Sequence, residues 1–523
     1  MTSAEGAEAC HKILKFRFYD ISSCWVCDFC DKILPVSKKV AYMFVGRKEQ
    51  LADLMTLWRK RTSSIVACRG RRRIGKSTLF REFARRSADV YIEIEGLAPQ
   101  QENPPTVQDQ LDHFIEVLSG LTDCDSSKVD TWFAAFARLD KQIDDTKKTV
   151  ILLDEISWMA GGDVNFPGKL RTAWETLFHR HEHLILVVCG SVSSWIRKNI
   201  LGNTGFTGRF SRDYVLTELT LAECAEFWGA ARNRLASREI LDVLSVTGGV
   251  PRYLEEVDPG LSADENIKRM CFLKSGELYK DFDAIFNPIW GEGTVLKRKI
   301  LEALSETPMT AGDLAKAVGV AYNGRFIALM KELVEGGFVD DDPGKNPETG
   351  KDVGIARYRL RDNYTRFFLK YIAPHKLEIE RGSYEFTSIE LLPGWNAIMG
   401  LQFENLIVNN SMQLVRHLGI GNAIVESAAP YRHSKRKGND GVRGCQVDLL
   451  IQTARTAYVI EIKRKKFIAE EVVAEVEEKI RRMPFRKGLS ARPVLVYDGE
   501  LLPSVEGSGY FDAIINARQL LEV

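Results

Sequence analysis

Gly70, Gly75, Lys76 and Ser77 stand in the order G-x-x-x-x-G-K-S, with Arg71, Arg72, Arg73 and Ile74 between the glycines and Thr78 directly after. The apolar run Ile65-Val66-Ala67-Cys68 precedes them, and Leu79, Phe80, Phe83 and Ala84 follow at helical spacing. A strand that turns through glycines into a helix is built for phosphate. Gly70 and Gly75 let the backbone fold tightly enough to aim its N–H groups at phosphate oxygens, above the positive end of the helix dipole. Lys76 is then placed to reach the β- and γ-phosphates of ATP, and the Ser77 hydroxyl to hold Mg²⁺.

The apolar stretch Thr149-Val150-Ile151-Leu152-Leu153 ends in Asp154 and Glu155. Ligands of an open parallel sheet bind at the carboxyl ends of its strands. Asp154 is therefore the expected second Mg²⁺ ligand, and Glu155 the base that polarises the attacking water. Ser191, closing the next apolar run, is read either as a γ-phosphate sensor or as a helix N-cap. Arg209 and Arg212 are placed beyond the sheet, where one of them is a candidate arginine finger for a neighbouring copy; self-assembly is left open.

A second set of chemically useful residues lies near the C-terminus: Glu404 in an expected helix over residues 400–414, Asp448 in a strand, and Glu461 and Lys463 two apart in the next strand. Alternation puts Glu461 and Lys463 on one face and Ile460 and Ile462 on the other. Asp448 and Glu461 are expected to share Mg²⁺ or Mn²⁺, with Lys463 beside them to stabilise charge.

The elements that must position these groups follow from pattern. Helices are expected over residues 48–61, 107–121, 129–143 and 169–181, and strands over 89–95, 149–155 and 184–189. Strands alternating with helices, several of them apolar throughout, indicate a parallel sheet covered on both faces. Three short helices (297–304, 310–318, 323–335) and a hairpin (337–339 and 356–360) give a winged helix-turn-helix pattern. Its recognition helix carries only Arg325 and Lys331, and its wing tip is acidic at Asp340–Asp342, which leaves DNA contact and a protein-contact role equally open.

The chain has 523 residues, 45% hydrophobic and 27% charged, with a net charge of +1. That length suits roughly three or four domains, and any nucleic-acid surface has to be local. No apolar run is long enough to span a membrane and no signal-peptide core is visible, so a cytoplasmic protein is expected. Scattered cysteines suit a reducing compartment. Cys24, Cys27 and Cys30 form C-x-x-C-x-x-C, with Cys10 and His11 upstream. Thiolates suit zinc or iron–sulfur, yet the spacing is no finger pattern, and a loosely ordered extension ending before a natural start at Met43 is favoured.

Phe44-Val45-Gly46-Arg47, Gly70–Ser77, Leu152–Glu155, Cys189-Gly190-Ser191 and Thr247-Gly248-Gly249-Val250-Pro251-Arg252 occur in that order. Together they resemble the archaeal-type ATPases of the AAA+/STAND group of P-loop NTPases. The resemblance implies that Arg47 and Pro251 line the base pocket, that Arg252 acts as the lid's sensor, and that a helical lid closes over the nucleotide. The E…D…E-x-K order of the C-terminal residues resembles the PD-(D/E)XK nuclease fold, although Val447 stands where that motif's name has proline. The expected α/β architecture is thus a P-loop NTPase parallel sheet with helical lid, a winged helix and a restriction-endonuclease-like domain. Its segments are 1–42 (extension), 43–218 (ATPase core), 219–290 (lid and linker), 291–374 (winged helix) and 375–523 (nuclease-like domain). The function implied is ATP hydrolysis coupled to a metal-dependent nuclease acting on DNA. The alternative is a nucleotide switch whose nuclease-like domain grips DNA without cutting it.

Overall fold

The computed structural model describes residues 44–522, except 61, 100–102, 283–292, 343, 354–356 and 434–443. The cysteine motif at Cys24, Cys27 and Cys30, with Cys10 and His11, lies outside the described residues. The chain divides into two units. The first comprises residues up to 69, 76–190 and 195–214; the second comprises 70–75, 191–194 and everything from 215 onward. Among the described residues no helix is long and apolar enough to cross a membrane.

The first unit is built on a five-stranded sheet: β1 (Ser64–Arg69), β2 (Val90–Glu95), β3 (Thr149–Asp154), β4 (Leu184–Gly190) and β5 (Phe210–Val215), in the order β2-β3-β4-β1-β5. β1 pairs with β4, β4 with β3 and β3 with β2, all parallel. Every residue of β3 and β4 is buried, which is what strands covered on both faces require. Helices Lys76–Ser87, Val107–Leu121, Trp132–Asp140 and Phe166–Thr176 connect the strands. Trp132, Phe136, Phe166 and Phe178 interlock in the resulting core.

Local chemistry sets the helix ends. Thr106 and Asp109 cap Val107–Leu121 reciprocally, and the Thr131 side chain accepts the Ala134 N–H, so the helix expected from residue 129 starts at Trp132. The first helix, expected to reach residue 61, stops at Leu57. β5 is a correction: Arg212 lies within the sheet, on an edge strand, and not beyond it. The strand went unread because none of its residues is fully buried, so it carries no apolar signal.

The second unit begins with short helices that include Ser237–Thr247, Pro251–Leu254 and Ala263–Cys271. There follow Thr294–Glu306, β6 (Met309–Thr310), helices Ala311–Ala317 and Gly324–Glu335, β7 (Val339–Asp340) and β8 (Arg357–Leu360). These strands form an antiparallel sheet in the order β6-β8-β7, β6 being an addition to the expected hairpin. The acidic tip is also corrected. Asp342 is held by the Arg359 guanidinium at 2.9 Å and Asp340 by Arg361 at 3.0 Å, so these two carboxylates are neutralised from within the hairpin.

A second five-stranded sheet contains β9 (Val425–His433), β10 (Cys445–Thr453), β11 (Thr456–Ile468), β12 (Ser490–Leu501) and β13 (Ala513–Asn516), in the order β13-β12-β11-β10-β9. β9, β10 and β11 run antiparallel; β11, β12 and β13 run parallel, with helix Glu471–Arg482 as the crossover between β11 and β12. Helix Trp395–Asn409 packs on β10 and β11. It starts before the expected residue 400 because Gly394, at φ 74°, makes the left-handed turn that admits it.

Gly96, just past β2, donates its N–H to the Asp154 carbonyl at 3.0 Å. A Cβ there would sit 2.4 Å from the Met159 N and 3.0 Å from the Glu155 carbonyl. Gly120, inside Val107–Leu121, would meet nothing within 4 Å. Gly96→Ala is expected to lower stability by about 1–3 kcal/mol. Gly120→Ala is expected to raise it by roughly 0.5–1 kcal/mol. Thermal melts of both variants check the contrast; equal behaviour would deny the close approach at Gly96.

Candidate active sites

In the first unit Ser77 opens helix Lys76–Ser87 and Asp154 closes β3, and the Ser77 hydroxyl donates to Asp154 Oδ2. Asp154 Oδ1 accepts the Glu155 N–H at 2.8 Å. Glu155 lies at φ 44°, ψ 50°, a left-handed conformation that a non-glycine residue holds only at a cost of about 1–3 kcal/mol. The turn throws its carboxylate toward the end of β4, where Oε2 is 3.6 Å from the point a Cβ on Gly190 would occupy. Lys76, Asp154 and Glu155 are all buried, at 6%, 6% and 7% exposure. A hydroxyl and a carboxylate already in contact, with a second carboxylate beside them, form a hard-oxygen donor set that fits Mg²⁺. Arg47, also buried, is the left-handed residue preceding helix Lys48–Leu57.

Arg212 donates to Asp53 through two nitrogens, at 2.6 and 2.8 Å, while the Tyr214 hydroxyl donates to the same carboxylate at 2.6 Å. The Arg212 hydrogen bond, then that of Tyr214, holds the Asp53 carboxyl below the usual range. Arg209 pairs with Glu175. Both finger candidates are therefore engaged within their own unit.

The loop residues 70–75 belong to the second unit. Gly70 adopts φ 149°, and a Cβ on it would meet the Leu216 carbonyl at 2.4 Å; Gly75 adopts φ 85°. Of the three arginines between them, Arg71 and Arg73 are engaged by carboxylates of the same unit. Arg71, with its side chain 3% exposed, donates to Asp362 at 2.6 Å, lies 3.8 Å from Glu218 and stacks over Phe338. Burial works against its charge, but Asp362, with Tyr253 and Glu218, outweighs that and keeps its pKa above the usual value. Arg73 pairs with Glu277 and Asp281. Arg72 and Arg71 share with Ser191, Lys297 and Glu332 a cavity of about 30 Å³. Pro251 lies over Gly75, 3.8 Å from its Cβ position, and the Arg252 N–H points at the Arg73 carbonyl at 3.4 Å. The Arg252 side chain itself is held by Glu256 at 2.8 Å and Glu255 at 3.3 Å. Ile74 is buried, and Thr78 follows in the helix.

The C-terminal carboxylates come together from three elements: Glu404 from helix Trp395–Asn409, Asp448 from β10 and Glu461 from β11. The β10–β11 ladder ends at the Leu449–Ile460 pair, and beyond it the Asp448 side chain accepts the Ile462 N–H at Oδ2, 2.9 Å away. Glu461 is almost wholly buried and receives Lys463 at Oε1 and Lys479 at Oε2, both at 2.6 Å. Both lysines also reach Glu475. Burial first, and then a neighbouring carboxylate, raises each pKa. Glu404 is raised by Glu461, Glu461 by Asp448, and Asp448 by Glu404, which helps push it up to about 6. Among the described residues no group of three or more His, Cys, Asp or Glu side chains is arranged to hold a metal ion. Lys479 and Glu475 were not singled out in the sequence, although their i, i+4 spacing on Glu471–Arg482 signals a charged helix face.

Residues 44–257 match a family described as an ATPase domain predominantly from Archaea. Over 451 residues the chain is 24% identical to an uncharacterized protein of Methanocaldococcus jannaschii, covering 85% of this chain and 92% of that one. Among solved structures, the Walker-type ATPase of Pyrococcus abyssi is 14% identical with a TM-score of 0.45, covering 62% of this chain and 96% of its own. The ORC2 protein of Aeropyrum pernix, in ADPNP–ADP complexes, is 14% identical with a TM-score of 0.41, covering 66% and 97%.

The carboxylate cluster has a consequence for stability. A carboxyl raised on folding favours the folded state while protonated, and loses that advantage as pH climbs from about 4 toward about 6, the range over which Asp448 ionises. Asp448→Asn keeps an acceptor for the Ile462 N–H and removes the charge. It is expected to exceed wild type in stability by roughly 1–3 kcal/mol above pH 7, and to match it below pH 4. Calorimetric midpoints across pH check this; a difference independent of pH would remove the electrostatic cause.

Proposed function

We propose that the ATPase domain binds ATP with Mg²⁺ through residues 70–77, hydrolyses it, and couples its nucleotide state to a metal-dependent, nuclease-like C-terminal domain acting on DNA. The observation that carries the first half is the Ser77–Asp154 hydrogen bond with the strained Glu155 beside it. Backbone N–H groups of residues 70–75 would bind the phosphates and Lys76 would neutralise their charge; Ser77 and Asp154 would hold Mg²⁺, which would supply a Lewis acid for the phosphoryl oxygens. Glu155 orients the attacking water and takes its proton. Lys76→Ala is expected to weaken nucleotide binding at least about tenfold by loss of a charge-assisted contact. Glu155→Gln should keep binding and lose at least about a hundredfold in turnover. Nucleotide titration and phosphate release measure the two separately, and a Glu155→Gln protein that turns over normally would refute the assignment.

Support for the second half is the meeting of Glu404, Asp448 and Glu461 with Lys463 on a mixed sheet whose crossover helix follows the E-x-K strand. Asp448 and Glu461 would hold Mg²⁺ or Mn²⁺, which supplies a Lewis acid for a phosphodiester; Lys463 then stabilises developing negative charge. Residues 291–374, with three helices and an antiparallel sheet, fit a winged helix. The hold of Lys463 and Lys479 on Glu461 favours a second reading, a domain that grips DNA without cutting it. Cleavage of labelled DNA in Mg²⁺ and Mn²⁺, with and without ATP, separates the two. Under the nuclease reading Asp448→Ala and Lys463→Ala both lose at least about a hundredfold in cleavage while ATP hydrolysis stays within about twofold. Intact wild-type protein that cuts no DNA under any condition leaves the gripping function.

A further inference from the structure

A cavity of about 110 Å³ opens in the second unit where β8 meets β9 and β10. Arg357 and Arg359 of β8, Arg432 of β9, Lys345, Gln446 of β10 and Glu404 contribute to its wall. The charges there do not balance. Arg359 is engaged by Asp342, which it holds through two nitrogens at 2.9 and 3.0 Å, and by Asn409 at 3.0 Å. Lys345 faces Asp352 at 3.5 Å. Arg357 gives one N–H to a neutral acceptor, the Pro308 carbonyl, at 3.4 Å. Arg432, an exposed residue paired with Gln446 in the ladder, forms no side-chain hydrogen bond or ion pair among the described residues. Burial and then the charge of Arg357 hold Arg432 below the usual guanidinium value, against the opposing pull of Glu404.

We propose that this cavity takes one backbone phosphate of a nucleic-acid strand, clamped between Arg357 and Arg432. Two guanidinium groups that repel each other across a concavity are relieved by an anion, and the paired N–H groups of each match phosphate oxygens. The cavity is far below the roughly 300–1,000 Å³ of small-molecule sites, so the bulk of the ligand must remain outside. A polymer that presents phosphates one at a time meets that condition; a nucleotide enclosed with its base and sugar does not. Gln446 adds a neutral donor on the same wall. The proposal rests on the nuclease-like reading in one respect. Glu404 belongs both to this wall and to the carboxylate cluster, so a strand clamped here passes the edge of that cluster.

The test uses the full chain in EDTA, so that binding is read without cleavage. Fluorescein-labelled DNA, single-stranded and duplex, is titrated by anisotropy at rising salt against wild type, Arg357→Gln, Arg432→Gln and the double variant. Each single substitution is expected to raise Kd about tenfold and to reduce the salt slope by about one. Arg492→Gln, at an exposed pair with Asp512 on the far side of the sheet order, should change neither. A double variant that melts like wild type and binds DNA with wild-type affinity and slope overturns the proposal, as does a wild-type protein that binds no DNA. Inorganic phosphate that raises the melting temperature only when both arginines are present, without DNA binding, assigns the site to free anion and overturns the polymer. Cleavage is a separate readout. Loss of DNA affinity in the arginine variants of a protein that never cuts supports the clamp and sinks the nuclease. Cutting by the double variant at unchanged KM sinks the clamp alone.

Discussion

A guanidinium inside the phosphate loop sets more of this structure than any other group. Arg71 is buried to 3% side-chain exposure, and a charge in that position must be met by an opposite one. Asp362 meets it with Oδ1, while its Oδ2 accepts the Thr365 N–H at 3.0 Å and so caps helix Asn363–Phe367. One carboxylate therefore fixes both the loop and the start of a helix. Removing either partner of a buried pair typically costs about 3–5 kcal/mol, because the other charge is left stranded. Arg71 and Arg73 thus work as anchors for the loop's backbone.

The anchoring continues beyond Asp362. The Asn363 side chain donates to the carbonyls of Ser245 and Gln402 at 2.9 and 3.0 Å, and the Gln402 amide donates back to the Asn363 carbonyl at 2.7 Å. Arg366 binds Gln402 Oε1 at 2.9 Å, and Asn405 donates to the Arg361 carbonyl at 2.6 Å. Gln402 and Asn405 flank Glu404 on the same helix, so the helix that presents Glu404 to the carboxylate cluster is tied by buried hydrogen bonds to the segment that grips the phosphate loop. Hydrogen-bond networks of this kind rigidify a packing, although among the described residues the buried Arg366 Nε is left without a partner in it. The carboxylate cluster is held in a different way. Three acids share a low-dielectric site with two lysines, and the imbalance appears as raised carboxyl pKa values and not as displaced side chains.

Legibility in the sequence followed burial and local chemistry. The phosphate loop, β3 with Asp154 and Glu155, and β4 were readable because an apolar run that stops abruptly at Gly, Asp or Ser is the pattern of a buried strand meeting a turn. The family match over residues 44–257 agrees with that part of the reading. β5 and β9 were not readable: the first has no fully buried residue, and the second interrupts its apolar pattern with Glu426, Ser427, Pro430 and Arg432. The partners of Arg71 and Arg73 were out of reach for another reason. Asp362 lies 291 positions from Arg71, and nothing in local periodicity announces an ion pair at that separation. The acidic hairpin tip misled because composition shows charge without showing that Arg359 and Arg361, on the return strand, neutralise it.

The same principle governs the strand that carries Glu461 and Lys463. Arg464, the next residue of β11, is buried to 7% and pairs with Asp242 of helix Ser237–Thr247 and, at 3.4 Å, with Asp498 of β12. Burial pushes the Asp242 carboxyl up to about 6 even with Arg464 beside it, so desolvation exceeds the attraction at this pair. Such a pair adds little to stability; its effect is to forbid other registers, since sliding the helix along β11 strands a buried guanidinium. Helix Ser237–Thr247 runs straight into Gly248 and the turn that lays Pro251 over Gly75. The turn against the phosphate loop and the strand bearing the C-terminal acids are therefore two ends of one buried, charge-registered assembly. A change at either end has to be accommodated by moving that assembly together or by breaking a buried ion pair, and the second route is the more costly.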